Sequence, residues 1–244
     1  MSCIKEECGV FGVYNKAGIK QLGNLVYFGL FALQHRGQEA AGIAINVGGD
    51  VELKKDLGLL SDVFNNSPMI TKDGDIAVGH VRYSTTGSNT VENAQPLNAR
   101  YYKGSLTIAH NGNICNAPEL RKNLSEQGAI FHSTNDSEVI AYLIAKARIH
   151  TGSIEEAVKE VVPMLTGSFS LLIMSPRKLI AVRDPHGIRP LCMGRIGKTV
   201  VFASESCALD AVGADFERDI KPGEIRVVTP DDEFSIEDYC GQTP

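Results

Sequence analysis

The 244-residue chain carries 43% hydrophobic and 22% charged residues and a net charge of −5, values of an ordinary globular protein. That balance offers no basic face for a phosphate backbone, which argues against nucleic acid as a partner. No stretch reaches the roughly 20 apolar residues that span a bilayer, and the N-terminus lacks the apolar core of a signal peptide. We therefore expect a cytoplasmic protein that binds neither nucleic acid nor membrane.

The elements predicted first along the chain are mostly strands. Alternating or compact apolar runs indicate strands, and apolar residues at helical spacing indicate one helix. The predicted strands cover 9–14, 42–47, 51–55, 76–83 and 106–110, and the helix covers 22–33.

Three helices are predicted in the middle of the chain. Asn116 with Glu119, and Ser153 with Glu156, match the capping-box spacing at a helix start. Between them, residues 136–150 place apolar side chains on one helical face.

Strands return after residue 166, at 168–174, 179–183, 191–195, 200–203 and 224–228. Strand runs joined by short turns indicate an α+β fold with antiparallel sheets. Residues 8–230 form the predicted domain, and residues 231–244 are interpreted as a polar tail.

Scattered cysteines and histidines favour no metal site in this segment. The six cysteines form no C-x-x-C pair, and the six histidines form no H-x-x-x-H or H-E-x-x-H pattern. In a reducing compartment most thiols are small buried hydrophobes, while a single one can be a catalyst.

Cys8 is the thiol whose position raises the catalytic alternative. It stands at the entry to the first predicted strand, where a buried structural role is the simpler interpretation. If the chain began at Cys8, the α-amine of that residue would supply a base with a pKa of roughly 7.7 to 8.0. The local sequence leaves both roles open.

Three more places have both a structural and a functional interpretation. Asn111-Gly112 is typical of a tight hairpin turn, and the same groups could supply two donors to an oxyanion. Arg82 at a strand end could clamp a carboxylate or be a solvated edge residue. Asp136 could cap a helix or bind a substrate ammonium.

Five motifs follow one another along the chain: Cys8-Gly9-Val10-Phe11-Gly12, Leu33-Gln34-His35-Arg36-Gly37-Gln38-Glu39-Ala40-Ala41-Gly42-Ile43, Gly79-His80-Val81-Arg82-Tyr83-Ser84-Thr85-Thr86-Gly87, His110-Asn111-Gly112-Asn113 and Asn135-Asp136-Ser137-Glu138. This ordered series resembles the class II, N-terminal-nucleophile glutamine amidotransferases. Within that class, the second motif and the later segment 184–191 resemble the amidophosphoribosyltransferase branch of purine biosynthesis most closely.

The resemblance implies a role for each matching residue. Cys8 would attack the side-chain amide of glutamine to form a thioester, with its own α-amine moving the proton. Asn111 and the backbone of Gly112 would form the oxyanion hole. Arg82 would hold the substrate carboxylate and Asp136 its amine, with Thr85 in the loop that borders the substrate. The implied fold is a four-layer αββα sandwich of the Ntn-hydrolase kind.

The resemblance also implies parts that this segment lacks or must lose. Residues 1–7 match a propeptide, whose removal would free the Cys8 amine. A phosphoribosyltransferase domain would follow the tail, and the full-length enzyme would be a homo-oligomer. Mg²⁺ and, in some members, an iron–sulfur cluster belong to that full-length enzyme, with Cys240 near a cluster ligand; we expect no cofactor in this segment.

Two alternatives remain at the level of sequence. The chain could be the glutaminase domain of another class II amidotransferase, such as glucosamine-6-phosphate synthase, although the surroundings of His35 and Gln38 disfavour this. It could also be a catalytically silent regulatory domain on the same scaffold. A Cys8→Ala variant that still released ammonia from glutamine would contradict the enzyme interpretation.

Overall fold

The computed structural model describes residues 8–83 and 90–241. Those residues form thirteen strands and six α-helices. The strands are β1 (Gly9–Tyr14), β2 (Ala40–Val47), β3 (Asp50–Leu57), β4 (Ile76–Arg82), β5 (Leu97–Tyr101), β6 (Gly104–Ile114), β7 (Gly167–Met174), β8 (Leu179–Arg183), β9 (Cys192–Ile196), β10 (Thr199–Ala203), β11 (Asp215–Asp219), β12 (Ile225–Val228) and β13 (Glu233–Ile236). The helices are α1 (Leu22–Ala32), α2 (Leu60–Val63), α3 (Ala117–Glu126), α4 (Asp136–Ala147), α5 (Ile154–Val161) and α6 (Ser206–Ala211).

The strands form two antiparallel sheets. The first sheet has the order β11-β9-β10-β1-β4-β2-β3, so β1 and β4 are neighbours near its centre. The second sheet has the order β13-β12-β8-β7-β6-β5. Helices cover the outer face of each sheet, and the predicted α+β, four-layer αββα arrangement is confirmed.

The side chains of β1 alternate between two buried layers. Phe11 and Val13 belong to the buried cluster that α1 shares with the first sheet. Val10 and Tyr14 belong to a different cluster, which the two sheets share. Successive side chains of a strand point to opposite faces, so the even positions of β1 face the second sheet. We call the space between the sheets the inter-sheet layer.

The same alternation of side chains between the two faces applies to the strands that carry the predicted site. Val78 of β4 and Ala109 of β6 lie in the inter-sheet layer. By the two-residue period, His80 and Arg82 share the face of Val78, and Asn111 shares the face of Ala109. All three side chains are buried.

All three helices predicted in the middle of the chain form, but only one of the three predicted side-chain caps does. Ser153 and Glu156 form the predicted capping box at the start of α5. Asn135, rather than Asp136, caps α4 by accepting from the N–H of Ser137. The prediction for Asn116 was wrong: its side chain makes no cap, because it bonds instead to the Met164 carbonyl and the Thr166 N–H.

The predicted hairpin turn at Asn111-Gly112 is also wrong. Strand β6 runs through these residues and pairs with β7, with Asn111 opposite Ser170 and Gly112 opposite Phe169. The continuous pairing of β6 with β7 outweighs the local turn preference of an Asn-Gly pair. Gly112 keeps a φ of 147°, which side chains rarely adopt, and a Cβ there would meet the Ser168 carbonyl at 2.1 Å.

The folded region also continues past residue 230. The segment interpreted as a polar tail contains β13, which pairs with β12. Its first residue, Glu233, forms ion pairs with Lys16, Arg195 and Arg226. Backbone hydrogen bonds to β12 and these ion pairs therefore keep β13 in place, although its sequence has little apolar alternation. None of the described helices is both long enough and apolar enough to cross a bilayer.

Candidate active site

Cys8 lies at the edge of the inter-sheet layer, beside the end of β4. The pairing of Gly9 with Val81 brings Cys8 next to Arg82, and the Cys8 Sγ donates to the Tyr83 carbonyl at 3.4 Å. The residue is 9% exposed. Burial raises the pKa of the Cys8 thiol above 9.0, and the nearby positive charge of Arg82 opposes that shift. The thiol is therefore protonated at neutral pH and needs a base to become a nucleophile.

Arg36 holds the backbone of Cys8 and Glu205 holds Arg36, and sequence reasoning assigned a role to neither. Arg36 Nε donates to the Cys8 carbonyl at 3.0 Å. The same guanidinium forms an ion pair with Glu205, which also lies 3.1 Å from His35 Nε2. Arg36 was visible in the second motif, but Glu205 is 169 positions away and carries no local signal. This chain of contacts fixes the peptide on the C-terminal side of the thiol.

Arg82 is a buried residue and not a solvated edge residue. It is 3% exposed at the end of β4, between β1 and β2. Its positive charge acts to lower the pKa of both Cys8 and His80. A buried guanidinium beside a thiol is suited to an anionic group of a substrate.

The side chain of Asn111 is buried without hydrogen bonds to the described residues. It is fully buried, yet neither its amide nitrogen nor its amide oxygen has a hydrogen-bond partner among the described residues. Such an amide normally finds a partner, because an unmatched buried polar group costs about 1 to 3 kcal/mol. An unsatisfied amide donor on a strand that faces the layer of Cys8 is suited to binding a developing negative charge.

Asp136 begins α4 and joins that helix to β6. Its Oδ2 accepts from the Ile114 N–H at 2.9 Å, and its Oδ1 lies 3.4 Å from His110 Nδ1. Burial acts to raise the pKa of Asp136, but His110 and the N–H groups of Ile114 and Ser137 outweigh it, and the pKa falls below 3.8. The carboxylate is therefore ionised at neutral pH. Its negative charge also acts to raise the pKa of the Cys8 thiol.

A cavity of about 420 Å³ opens beside Asp136. Asn113, Thr134 and Asp136 line it, with Arg121 in the wall. Arg121 already donates to the carbonyls of Ser133 and Asn135, so it shapes the segment before α4. Volumes of this order accommodate small metabolites.

The remaining predictions concern loops and metals. Thr85 lies outside the described residues. Within 8–83 and 90–241, no group of three or more His, Cys, Asp or Glu side chains is placed to hold a metal ion. Cys240 is half-buried near Glu237 and Lys221. An iron–sulfur cluster needs about four cysteine ligands, so the described residues do not form such a site by themselves.

Comparison with known proteins places this geometry in a family. Residues 80–211 match the glutamine amidotransferase domain family, and the chain belongs to it. The predicted resemblance to class II glutamine amidotransferases is thereby confirmed.

Similar proteins point to one branch. The amidophosphoribosyltransferase of Methanocaldococcus jannaschii is 48% identical over 89% of this chain and 46% of that protein. Amidophosphoribosyltransferase 2, chloroplastic, of Arabidopsis thaliana is 48% identical over 93% of this chain and 40% of that protein. The solved glutamine phosphoribosylpyrophosphate amidotransferase from Bacillus subtilis has a TM-score of 0.85 at 40% identity, covering 94% of this chain and 49% of that one. The chain thus spans about half the length of the relatives it matches.

Proposed function

We propose that this chain is the glutamine-hydrolysing part of an amidophosphoribosyltransferase, and that Cys8 is its nucleophile. The products are glutamate and ammonia, and the ammonia serves phosphoribosylamine formation in purine biosynthesis. Support for the branch comes from relatives of that name at 48% identity over this region. Support for the chemistry comes from the side chains around Cys8.

The reaction proceeds in two stages at Cys8. The α-amine takes the thiol proton, and the sulfur bonds to the side-chain amide carbon of glutamine, giving a tetrahedral oxyanion. The C–N bond then breaks, the nitrogen leaves as ammonia with the proton, and a thioester remains. Water attacks the thioester, glutamate leaves, and the thiol is restored. Because burial raises the thiol pKa, the nearby amine is an essential part of this scheme.

The neighbouring groups divide the remaining tasks. Asn111 Nδ2 and the Gly112 N–H stabilise the oxyanion. The buried guanidinium of Arg82 binds the α-carboxylate, the ionised Asp136 binds the α-ammonium, and Thr85 borders the substrate. The observation that carries the proposal is the buried Asn111 amide, which has no partner among the described residues. A substrate oxyanion supplies one.

Several further features belong to the same proposal. Residues 1–7 are a propeptide that must be removed. While they are attached, the Cys8 nitrogen is an amide nitrogen and cannot act as a base. Residues 8–230, with the β13 extension, form the glutaminase unit. A phosphoribosyltransferase domain uses the ammonia, and the full-length enzyme is a cytoplasmic homo-oligomer that contains Mg²⁺.

The test is product release from glutamine by a chain that begins at Cys8. We expect glutamate and ammonia in equal amounts, and loss of both in Cys8→Ala. Cys115→Ala, which removes an exposed thiol, is the matched control and keeps the activity. Ammonia release by Cys8→Ala at the rate of the unchanged chain contradicts the proposal.

The branch is tested separately, in the longer protein that contains the second domain. Glutamine-dependent formation of phosphoribosylamine from phosphoribosyl pyrophosphate supports the assignment. Transfer of the ammonia to a different sugar phosphate assigns the chain to another class II amidotransferase.

A further inference from the structure

Strand β6 loses its partner on one side just before the residues of the proposed oxyanion hole. Pairing with β5 ends where Leu97 meets Ile108. Pairing with β7 continues past that point, through Gly112 and Ile114. The backbone of His110, whose carbonyl belongs to the peptide that joins it to Asn111, therefore needs other partners on the β5 side.

Two buried side chains take the place of the missing strand. Gln95 Oε1 accepts from the His110 N–H at 2.7 Å, and Gln95 Nε2 lies 3.4 Å from the His110 carbonyl. His80 Nε2 donates to the same carbonyl at 3.0 Å. Gln95 is 4% exposed and His80 is fully buried. Because a carbonyl only accepts hydrogen bonds, the hydrogen lies on His80 Nε2.

The bond from His80 crosses the inter-sheet layer. His80 belongs to β4 of the first sheet, two residues before Arg82, while His110 belongs to β6 of the second sheet. This hydrogen bond therefore ties the strand of Arg82 directly to the strand of Asn111 and Gly112. Elsewhere in this layer Val78 and Leu172 pack the sheets together, and Tyr14 and Asn46 donate hydrogen bonds to the turn between β7 and β8.

We propose that His80 and Gln95 are positioning residues that set the oxyanion-hole donors of β6 against Cys8. They touch neither substrate nor reacting atoms, and they act through the peptide between His110 and Asn111. The inference rests on the proposed glutaminase function. Small displacements of such donors reduce rates strongly, because electrostatic stabilisation depends on preorganised geometry.

The charge state of His80 agrees with a fixed donor. Burial lowers the pKa of His80 to about 3, so the imidazole is neutral at the pH of catalysis. His80 therefore contributes a hydrogen bond and no proton transfer. The pH profile of glutamine hydrolysis should keep its shape when His80 is replaced.

The test compares His80→Leu with His80→Gln, whose amide nitrogen can reproduce the Nε2 donor. In His80→Leu we expect kcat to fall about 10- to 100-fold, with little change in KM for glutamine. Binding of an aldehyde analogue of glutamine, which forms an oxyanion on the thiol, should weaken by the same factor. Binding of glutamate should not change, and His80→Gln should recover most of both losses.

Thr107→Val is the matched control on the same face of β6. It removes the partly buried bond to Asn98 at 3.1 Å, four residues before Asn111, and should lower the Tm without changing kcat. Should His80→Leu fail to fold, Gln95→Met tests the same peptide from the other side. Full kcat in His80→Leu or Gln95→Met, or a loss of kcat with unchanged aldehyde binding, overturns the inference. Absence of activity in the unsubstituted chain would instead refute the proposed function.

Discussion

The two ends of the inter-sheet layer have opposite compositions. At one end, Tyr14, Ile76, Met174 and Val200 pack the two sheets together, and Tyr14 and Asn46 add hydrogen bonds to the turn between β7 and β8. At the other end lie the buried side chains of Cys8, His80, Arg82 and Asn111. The sheets are therefore joined mainly by apolar contacts at one end, whereas His80 joins them by a hydrogen bond near the other.

The apolar end of the layer therefore contributes mainly to stability, and the polar end carries the residues proposed for the reaction. Burial of apolar surface at the apolar end stabilises the folded state by about 25 cal/mol for each Å² removed from water. The polar end keeps amide and imidazole atoms without partners among the described residues, including both polar atoms of Asn111. We infer that the apolar end holds the sheets in register so that the polar end can remain unsatisfied until substrate binds.

The largest expected effect comes from Asn111→Leu. Leucine has a similar size and removes both unpartnered polar atoms, so the free energy of unfolding should rise by about 1 to 2 kcal/mol. Loss of the oxyanion donor should lower kcat about 10²- to 10³-fold. Denaturant titration and steady-state kinetics measure the two quantities. A variant that is less stable and still active would remove the contrast between the two ends.

The converse experiment is Met174→Ala at the apolar end. Met174 is 1% exposed and belongs to the cluster that the two sheets share. The cavity should reduce the free energy of unfolding by about 2 to 5 kcal/mol. Measured well below its Tm, the variant should keep kcat within about twofold, since the cavity lies away from the reacting groups. A large loss of kcat at full folding would show that the ends are coupled.

A smaller effect should appear in the pH dependence of stability. His80 has a pKa of about 3 when folded and 6.5 when unfolded, so the unfolded chain binds the extra proton first as the pH falls. The stability present above pH 6.5 is therefore lost towards pH 3, by about 2 kcal/mol between pH 7.5 and 5. His80→Gln should lack this part of the loss, and denaturant titration at both pH values measures it.

Carboxylates do not obscure that measurement. Hydrogen bonds and ion pairs outweigh burial and lower the pKa of Glu224 and Glu233 to about 2. Their stabilisation is present above their usual value of 4.5 and is lost only below it, in both proteins. Equal losses for the unsubstituted chain and His80→Gln between pH 7.5 and 5 would contradict a neutral, buried His80.

Much of the fold was predictable because its central strands carry their own pattern. Residues 9–14 and 168–174 are compact apolar runs, and both became central strands. The edge strands β5, β11 and β13 were not predicted. They are only partly buried and rich in polar residues, and their place is determined by pairing with a neighbour.

The candidate site divides in the same way. Cys8, Arg82, Asn111, Gly112 and Asp136 were found through ordered motifs. The contacts that hold them were not, because Glu205 meets Arg36, and Gln95 meets His110, only after the chain folds. No spacing rule predicts such pairs.

The central claim is that Cys8 acts with a free α-amine. Its most direct test is intact-mass analysis after treatment with a diazoketone analogue of glutamine, applied to chains that begin at Cys8 and to chains that keep residues 1–7. We predict one label on Cys8 in the shorter chain, prevented by excess glutamine, and little or none in the longer chain. Equal labelling of both chains would contradict it.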